Sequence, residues 1–367
     1  MAKIRTLIVD DAVVIRRLLA VELANDPALE VVGAAANGRI ALQMMPQVNP
    51  DVVILDVEMP EMDGLATLAE LRKTYPRLPV IMFSNLTQRG AEATLDALAL
   101  GASDYFTKPS TGDVNDSLQI VREELIPKIK ALCSKKAESN QRPEAQPRLE
   151  PAKLPRPYPP SPASVEIVAI GASTGGPNAL AAIFAEFPAD FPVPIVMVQH
   201  MPPMFTRLLA ERLTAKSKLR VDEATAGTPL QAGRAWIAPG DYHMTLARAG
   251  AEVRLQLNQD PPENSCRPAV DVLFSSVAKV FGRDCVAAIL TGMGQDGLRG
   301  CRAIHESGGQ IVAQDEATSV VWGMPGYVAR AGLADRVLPL NGIAAEIVQR
   351  VRAVGDRNTQ LQPDKKV

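Results

Sequence analysis

Histidine is scarce in this sequence of 367 residues, with three in all, and the four cysteines, Cys133, Cys266, Cys285 and Cys301, include no CxxC pair. So few thiols and imidazoles, none at ligand spacing, argue against a zinc site or a disulfide framework and point to a reducing cytoplasm. Net charge is slight too: 39 basic against 41 acidic residues leave −2, with a pI near 6.0. That balance gives no electrostatic ground for nucleic acid or an anionic membrane as a partner. No apolar run approaches the roughly 20 residues of a membrane span. The amino terminus, MAKIRTLIVDD, holds only a short apolar stretch that ends in two acids, so membrane insertion is not expected. No internal repeat is evident.

What the chain does have is apolar bulk. With 47% apolar and 22% charged residues it can bury the cores of two ordinary domains. Residues 134–163 carry eight of the 30 prolines and almost no large apolar side chains, the composition of a linker. Extended, such a stretch reaches on the order of 90 Å and enforces no arrangement. The expected organisation is a first domain over 1–133, a Pro-rich linker over 134–163, a second domain over 164–355 and a frayed polar tail over 356–367.

In the first domain, strand-like runs at 6–9, 31–35, 52–55, 80–83 and 104–106 alternate with amphipathic helical stretches. In the helix expected over 12–23, Ile15, Leu18, Leu19 and Glu22 recur at i, i+3, i+4 and i+7, which turns the three apolar residues inward. Five βα units predict a doubly wound parallel sheet with its functional groups at the carboxyl ends of the strands. Asp10 and Asp11 end the first strand, Asp56 the third and Ser84 the fourth, and Lys108 lies just past the fifth. Asp10, Asp11 and Asp56 make a plausible Mg²⁺ site, Asp56 is the natural phosphoryl acceptor, and Lys108 and Ser84 suit the charge and oxygens of a phosphate. Taken singly, Asp11 has a plainer reading as a helix cap and Asp56 as part of an acidic turn. Five compatible groups at successive strand ends favour phosphorylation.

After the linker the alternation resumes, with buried parallel strands expected at 165–170, 195–198, 286–291 and 310–313 and a β-hairpin insert over about 234–257. The string GASTGGP at 171–177 sets Ser173 on a glycine-rich strand-to-helix turn, where helix amides stabilise developing negative charge. His200 follows the next strand, and Asp296, in LTGMGQDG, follows another, so parallel topology brings both to the edge that carries Ser173. The three suit a triad, with Thr174 and the backbone amide of Met293 as support and oxyanion donors. Each alone reads equally as a cap or a satisfied buried group. His243 and His305 compete as the base but lie in the insert and in a helix. Met201, Met204, Met293 and Met324 fit either an adaptable pocket or core filling. The chain order Ser, His, Asp disfavours an ordinary α/β-hydrolase. Gln199 and His200, where a ribose-binding acid would stand, disfavour a nucleotide site.

Residues 1 to about 130, above all LDVEMPEMDG at 55–64, resemble a response-regulator receiver domain. Residues 165–352, through GASTGGP, VQHMPP, CRPAVDVLF, LTGMGQDG and IVAQDEATSVVWGMP, resemble the catalytic domain of chemotaxis protein-glutamate methylesterases. The resemblance implies a flavodoxin-like receiver followed by a Rossmann-like α/β domain. It implies Mg²⁺-dependent transfer of a phosphoryl group from a chemotaxis histidine kinase to Asp56, with Ser84 and Tyr105 shifting in response. It also implies hydrolysis of γ-glutamyl methyl esters on cytoplasmic chemoreceptor helices, releasing methanol, with glutamine deamidation as a second activity and no cofactor for the ester chemistry. Ser173 is then the nucleophile, His200 the general base and acid, and Asp296 the orienting acid. Ala269 departs from the serine often found in CRPSVD, and Gly326 from the basic residue that often follows Met-Pro. The competing expectation is a noncatalytic phospho-switch whose second domain only binds a partner.

The resemblance further implies that the unphosphorylated receiver covers the Ser173 edge. Deleting residues 1 to about 160 is therefore expected to raise basal esterase activity, and an unchanged or lower rate in the folded fragment would contradict this.

Overall fold

The computed structural model describes residues 2–108, 114–139 and 165–352. Contacts divide the chain into two compact units between Pro147 and Arg148, within the expected linker.

The first unit runs β1 (Ile4–Val9), α1 (Val13–Ala24), β2 (Leu29–Ala35), α2 (Gly38–Val48), β3 (Val52–Asp56), α3 (Gly64–Thr74), β4 (Val80–Ser84), α4 (Gln88–Ala99), β5 (Asp104–Thr107) and α5 (Val114–Ile120). A π-helical turn, Val121–Leu125, then leads into α6 (Ile126–Ser139). The five strands pair in parallel in the order β2-β1-β3-β4-β5, one of the two common doubly wound orders. Strands buried on both faces read as continuous apolar runs, and every residue of β3 and β4 is buried. In α1, Leu19 is buried while Ile15 and Leu18 pack partly buried against the same core. Glu22, at the next inward position, is buried as well and is paired by the Arg122 guanidinium from the π-helical turn. A charge on an inward face is thus matched by a residue 100 positions away. Helix α6 runs to Ser139, past the expected boundary at 133. The rest of the expected linker, Pro109 and the expected tail lie outside the described residues.

The second unit runs β6 (Ile167–Ala172), α7 (Gly176–Glu186), β7 (Ile195–Gln199), α8 (Phe205–Lys216), β8 (Arg220–Glu223), β9 (Arg234–Ile237), β10 (His243–Ala249), β11 (Glu252–Asn258), α9 (Val270–Phe281), β12 (Cys285–Ile289), α10 (Leu298–Glu306), β13 (Gln310–Gln314), α11 (Met324–Arg330), β14 (Arg336–Leu338) and α12 (Leu340–Arg352). Seven strands form one parallel sheet in the order β14-β13-β12-β6-β7-β9-β8. The strand order reverses between β6 and β12, and α/β sheets hold their ligands outside the strand ends at such a switch point. Ser173 directly follows β6.

The expected hairpin insert over 234–257 is corrected at its first strand. Residues Arg234–Ile237 form β9, which pairs in parallel with β7 and β8 inside the main sheet, so the insert is only β10 and β11. The turn at Gly250 was legible, but four residues of strand carry no period that separates main-sheet from hairpin pairing. Met244, Leu246 and Leu255 bury one face of the hairpin in the cluster that holds Val270, Leu273 and Phe274 of α9. The short strands β8 and β14, at the two sheet edges, also went unread in the sequence.

Candidate active and phosphorylation sites

Register brings the acidic residues of the first unit together. Leu55 and Val9 are partners across β3 and β1, so Asp56 and Asp10 emerge side by side. Ligand oxygens of Asp10, Asp11 and Asp56 all lie within 4.8 Å of one another. Lys108 Nζ sits 2.7 Å from Asp56 Oδ2 and 2.9 Å from Asp10 Oδ2, and 5.2 Å from the centre of the Phe83 ring. The β3–α3 loop is tight: a Cβ at Gly64 would stand 2.2 Å from the Asp56 carbonyl oxygen. Burial pushes the Asp56 carboxyl up to about 6, against the pull of Lys108 and with a smaller push from Asp10. Burial opposes the charge on Lys108, but its two carboxylate partners outweigh it and raise the ammonium above its ordinary range. Three carboxylates facing a lysine are hard oxygen donors of the kind Mg²⁺ takes. Ser84 is buried and donates its hydroxyl to the Gly90 carbonyl at 3.0 Å, so in this state it is turned to α4. Tyr105 is buried on β5 with Lys128 over its ring, and burial pushes its phenol well up.

In the second unit, Ala172 pairs with Gln199 across β6 and β7, which makes Ser173 and His200 the next residues on adjoining strands. Two bonds lock that corner: the His200 amide donates to Ala172 O at 3.2 Å and Gln199 Nε2 to Ser173 O at 2.9 Å. The Ser173 amide donates to Thr291 O at 3.0 Å, tying the turn to the end of β12. A Cβ at Gly292 would lie 2.8 Å from Ser173 Cβ, so only glycine permits this approach, and Met293 follows immediately. Thr174 is buried, with its carbonyl accepting from Thr291 Oγ1 at 2.9 Å.

Asp296 completes the edge. Its Oδ2 is 2.8 Å from His200 Nε2 and accepts the Val270 amide at 2.6 Å, while Oδ1 accepts from Asp271 N, Gly297 N and Asn264 Nδ2, each at 3.0 Å. Burial works against this carboxylate, but the His200 hydrogen bond and charge and the backbone donors hold it below its ordinary range. Nε2–H is therefore committed to Asp296, and Nδ1 is the nitrogen left to accept a proton. Cys266 Sγ lies 3.5 Å from Nδ1. Burial opposes the imidazolium, yet Cys266 and Asp296 outweigh it and push His200 up to about 10. Ser173 Oγ makes no hydrogen bond to the imidazole among the described residues, so that contact has to form when a substrate enters.

Every residue expected at the hydrolytic edge reaches it. His243 is taken up structurally: Nδ1 accepts the Ala269 amide at 3.2 Å and Nε2 faces Pro261 O at the same distance. His305 lies in α10. Met201 and Met324 are buried core residues, while Met204 and Met293 are half-buried. A cavity of about 340 Å³ lined by Glu166, Pro194, Leu230, Val253 and Phe281 lies at the opposite, amino-terminal end of the sheet. It has no part in this chemistry. Asn264, Cys266 and Asp271 were not foreseen as site residues. Asp271, buried at the start of α9, accepts from Gly300 N at 2.7 Å and from Asn264 Nδ2 at 3.0 Å, and burial foremost raises its carboxyl. Only its place in the string CRPAVD hinted at a role.

Two pH dependences follow. An accepting Nδ1 must be unprotonated, so labelling of Ser173 by a serine-directed phosphonylating probe should climb with pH towards about 10; a rate flat from neutral pH upward would contradict it. Phosphorylation of Asp56 needs the ionised carboxylate, which is lost as pH falls through about 6. Incorporation from a small phosphodonor should then drop about tenfold per unit below that point, and a constant rate down to pH 4 would count against it.

Comparison with known proteins identifies the family of each unit. The response regulator receiver domain family matches residues 6–119, and the CheB methylesterase family matches residues 168–347. A protein-glutamate methylesterase/protein-glutamine glutaminase of Trichodesmium erythraeum is 55% identical, covering 96% of this chain and 100% of its own. A second relative of that description, from Pseudomonas aeruginosa, is 44% identical over 97% of this chain and 99% of its own. The crystal structure of the Thermotoga maritima CheB methylesterase catalytic domain superposes with a TM-score of 0.50 at 44% identity, covering 51% of this chain and 98% of that one. With matches of this extent over both units, the chain belongs to the CheB family, a response-regulator receiver domain joined to a methylesterase catalytic domain.

Proposed function

We propose that this protein removes methyl groups from esterified glutamate side chains of chemoreceptors, and deamidates receptor glutamines, under control of phosphorylation at Asp56. The observation that carries the reading is the meeting of Ser173, His200 and Asp296 on adjoining strand ends, with the imidazole hydrogen-bonded to the buried carboxylate at 2.8 Å. Ser173 Oγ attacks the ester carbonyl and passes its proton to His200 Nδ1. Asp296 holds Nε2–H and stabilises the imidazolium. The backbone amides at Met293 and Thr174 would donate to the developing oxyanion. Collapse of the tetrahedral intermediate sends the His200 proton to the leaving methoxide, so methanol departs and a glutamyl ester of Ser173 remains. Water, deprotonated by the same imidazole, then releases the glutamate and restores the serine.

In the receiver, Asp10, Asp11 and Asp56 would hold Mg²⁺, whose contribution is to neutralise charge on the incoming phosphoryl group. Lys108 would pair with a phosphate oxygen. Ser84 would leave the Gly90 carbonyl to donate to another, which gives phosphorylation a handle on the β4–α4 segment. The phosphodonor is a histidine kinase of the chemotaxis type, and the setting is the cytoplasm. Among the described residues no helix is long and apolar enough to cross a membrane.

The deciding experiment is methanol release from methylated chemoreceptor membranes, with and without a small phosphodonor and Mg²⁺, by wild type, Ser173→Ala and Asp56→Ala. Release should vanish in Ser173→Ala and should rise with phosphodonor only where Asp56 is intact. No release from a folded, phosphorylated protein would favour a noncatalytic, partner-binding second domain.

A further inference from the structure

The segment Glu263–Arg267 joins the hairpin to α9 and touches two of the three triad residues. We infer that this loop is a positioning element of the hydrolytic centre, with Asn264 holding the Asp296 carboxylate and Cys266 holding the Nδ1 edge of His200. The inference rests on the hydrolase reading above and adds two residues to it.

The backbone is built to deliver these side chains. Asn264 and Ser265 have φ values of +53° and +62°, a left-handed pair without a glycine. Such residues persist only where their surroundings over-determine them. Here the surroundings do so. The Glu263 amide donates to Cys266 O at 3.0 Å and the Cys266 amide returns to Glu263 O at 2.9 Å, closing the loop on itself. Arg299 of α10 pairs with Glu263 at one end. At the other, Arg267 binds Asp241 Oδ1 at 2.6 Å and the Asp260 carbonyl at 3.0 Å.

Asn264 Nδ2 stands 3.0 Å from Asp296 Oδ1 and 3.0 Å from Asp271 Oδ2. A neutral amide with two hydrogens can donate to both buried carboxylates at once and so separates two like charges; an aspartate at the same place would add a third. Cys266 Sγ faces the nitrogen that has to receive the serine proton. With Asp296 on one edge of the ring and Cys266 on the other, the imidazole is fixed in plane and in tautomer. Sulfur and nitrogen are in contact there, and the thiol has to yield Nδ1 before Ser173 can use it. Cys266 is half-buried, whereas Cys285 and Cys301 are fully buried, their thiols pushed up by burial and far from ionising. The titratable groups facing His200 are Asp296 on the loop after β12 and Cys266 on this loop, with Asp271, Arg299 and Glu263 in the layer behind Asp296.

The test is a titration of the His200 imidazole by nitrogen-15 NMR in the full chain, where three histidines keep the assignment tractable. Cys266→Ser, which keeps a small donor and removes the ionisable sulfur, should lower the midpoint by about one pH unit or more. Asn264→Ala, which strips a donor from Asp296 and leaves its charge less compensated, should raise it. Opposite shifts are what positioning through two different edges of one ring requires. Residues that merely support the fold would loosen the site and return both midpoints towards the ordinary histidine value. Midpoints equal to wild type in both variants, or moved in the same direction, would overturn the inference. The readout uses no ester. A wild-type protein that neither releases methanol nor labels at Ser173 would defeat the functional proposal while the titration still decides the role of the loop.

Discussion

One buried carboxylate holds the hydrolytic centre together. Asp296 accepts from the amides of Val270, Asp271 and Gly297, from Asn264 Nδ2 and from His200 Nε2. Such a group is costly to bury unless all its lone pairs are matched. Matching them requires the loop after β12, the first turn of α9, the segment before α9 and the end of β7 to meet at one point. The amino terminus of α9 has no side-chain cap of its own, since Ala269 offers no oxygen. Asp296 serves as that cap from outside the helix. The same charge that anchors the helix keeps the imidazole in the tautomer with Nδ1 facing outward, so stability and chemistry draw on a single interaction.

The receiver has a different balance. Asp10 and Asp56 converge on one lysine with more negative charge than Lys108 can neutralise. Burial foremost raises the Asp56 carboxyl to about 6, against the pull of Lys108 and with a smaller push from Asp10. Such a site suits a divalent cation, and the phosphoryl group proposed for Asp56 would meet charge that Ser84 and Lys108 already border. In the esterase unit the Asp296 carboxylate is matched by five hydrogen-bond donors. In the receiver the charges are unmatched, which suits a component whose task is to change state.

Residue pattern and topology carried much of the structure. Parallel strands buried on both faces are continuous apolar runs, so β1 to β7, β12 and β13 were readable to within a few residues, and with them the carboxyl-end placement of Asp10, Asp56, Ser84, Ser173, His200 and Asp296. The edge strands β8 and β14 were not, because strands of four and three residues with one side to solvent lack a distinguishing period. β9 was assigned to the hairpin for the same reason. Glu22 broke the apolar stripe of α1 with no local sign that Arg122 would answer it.

The available chemistry is written in the residue order, because strand ends in a parallel sheet are fixed by apolar runs and the reactive residues follow those runs directly. Which atom faces which depends on packing. That Nε2 rather than Nδ1 meets Asp296, that Cys266 stands against the remaining nitrogen, and that Asn264 bridges two carboxylates depend on a left-handed loop pinned at both ends by ion pairs. All but the Asn264–Asp271 bond join residues 32 to 96 positions apart. Local propensity sets the direction of a strand or helix, but the pairing of side chains at such separations is settled by how the elements pack.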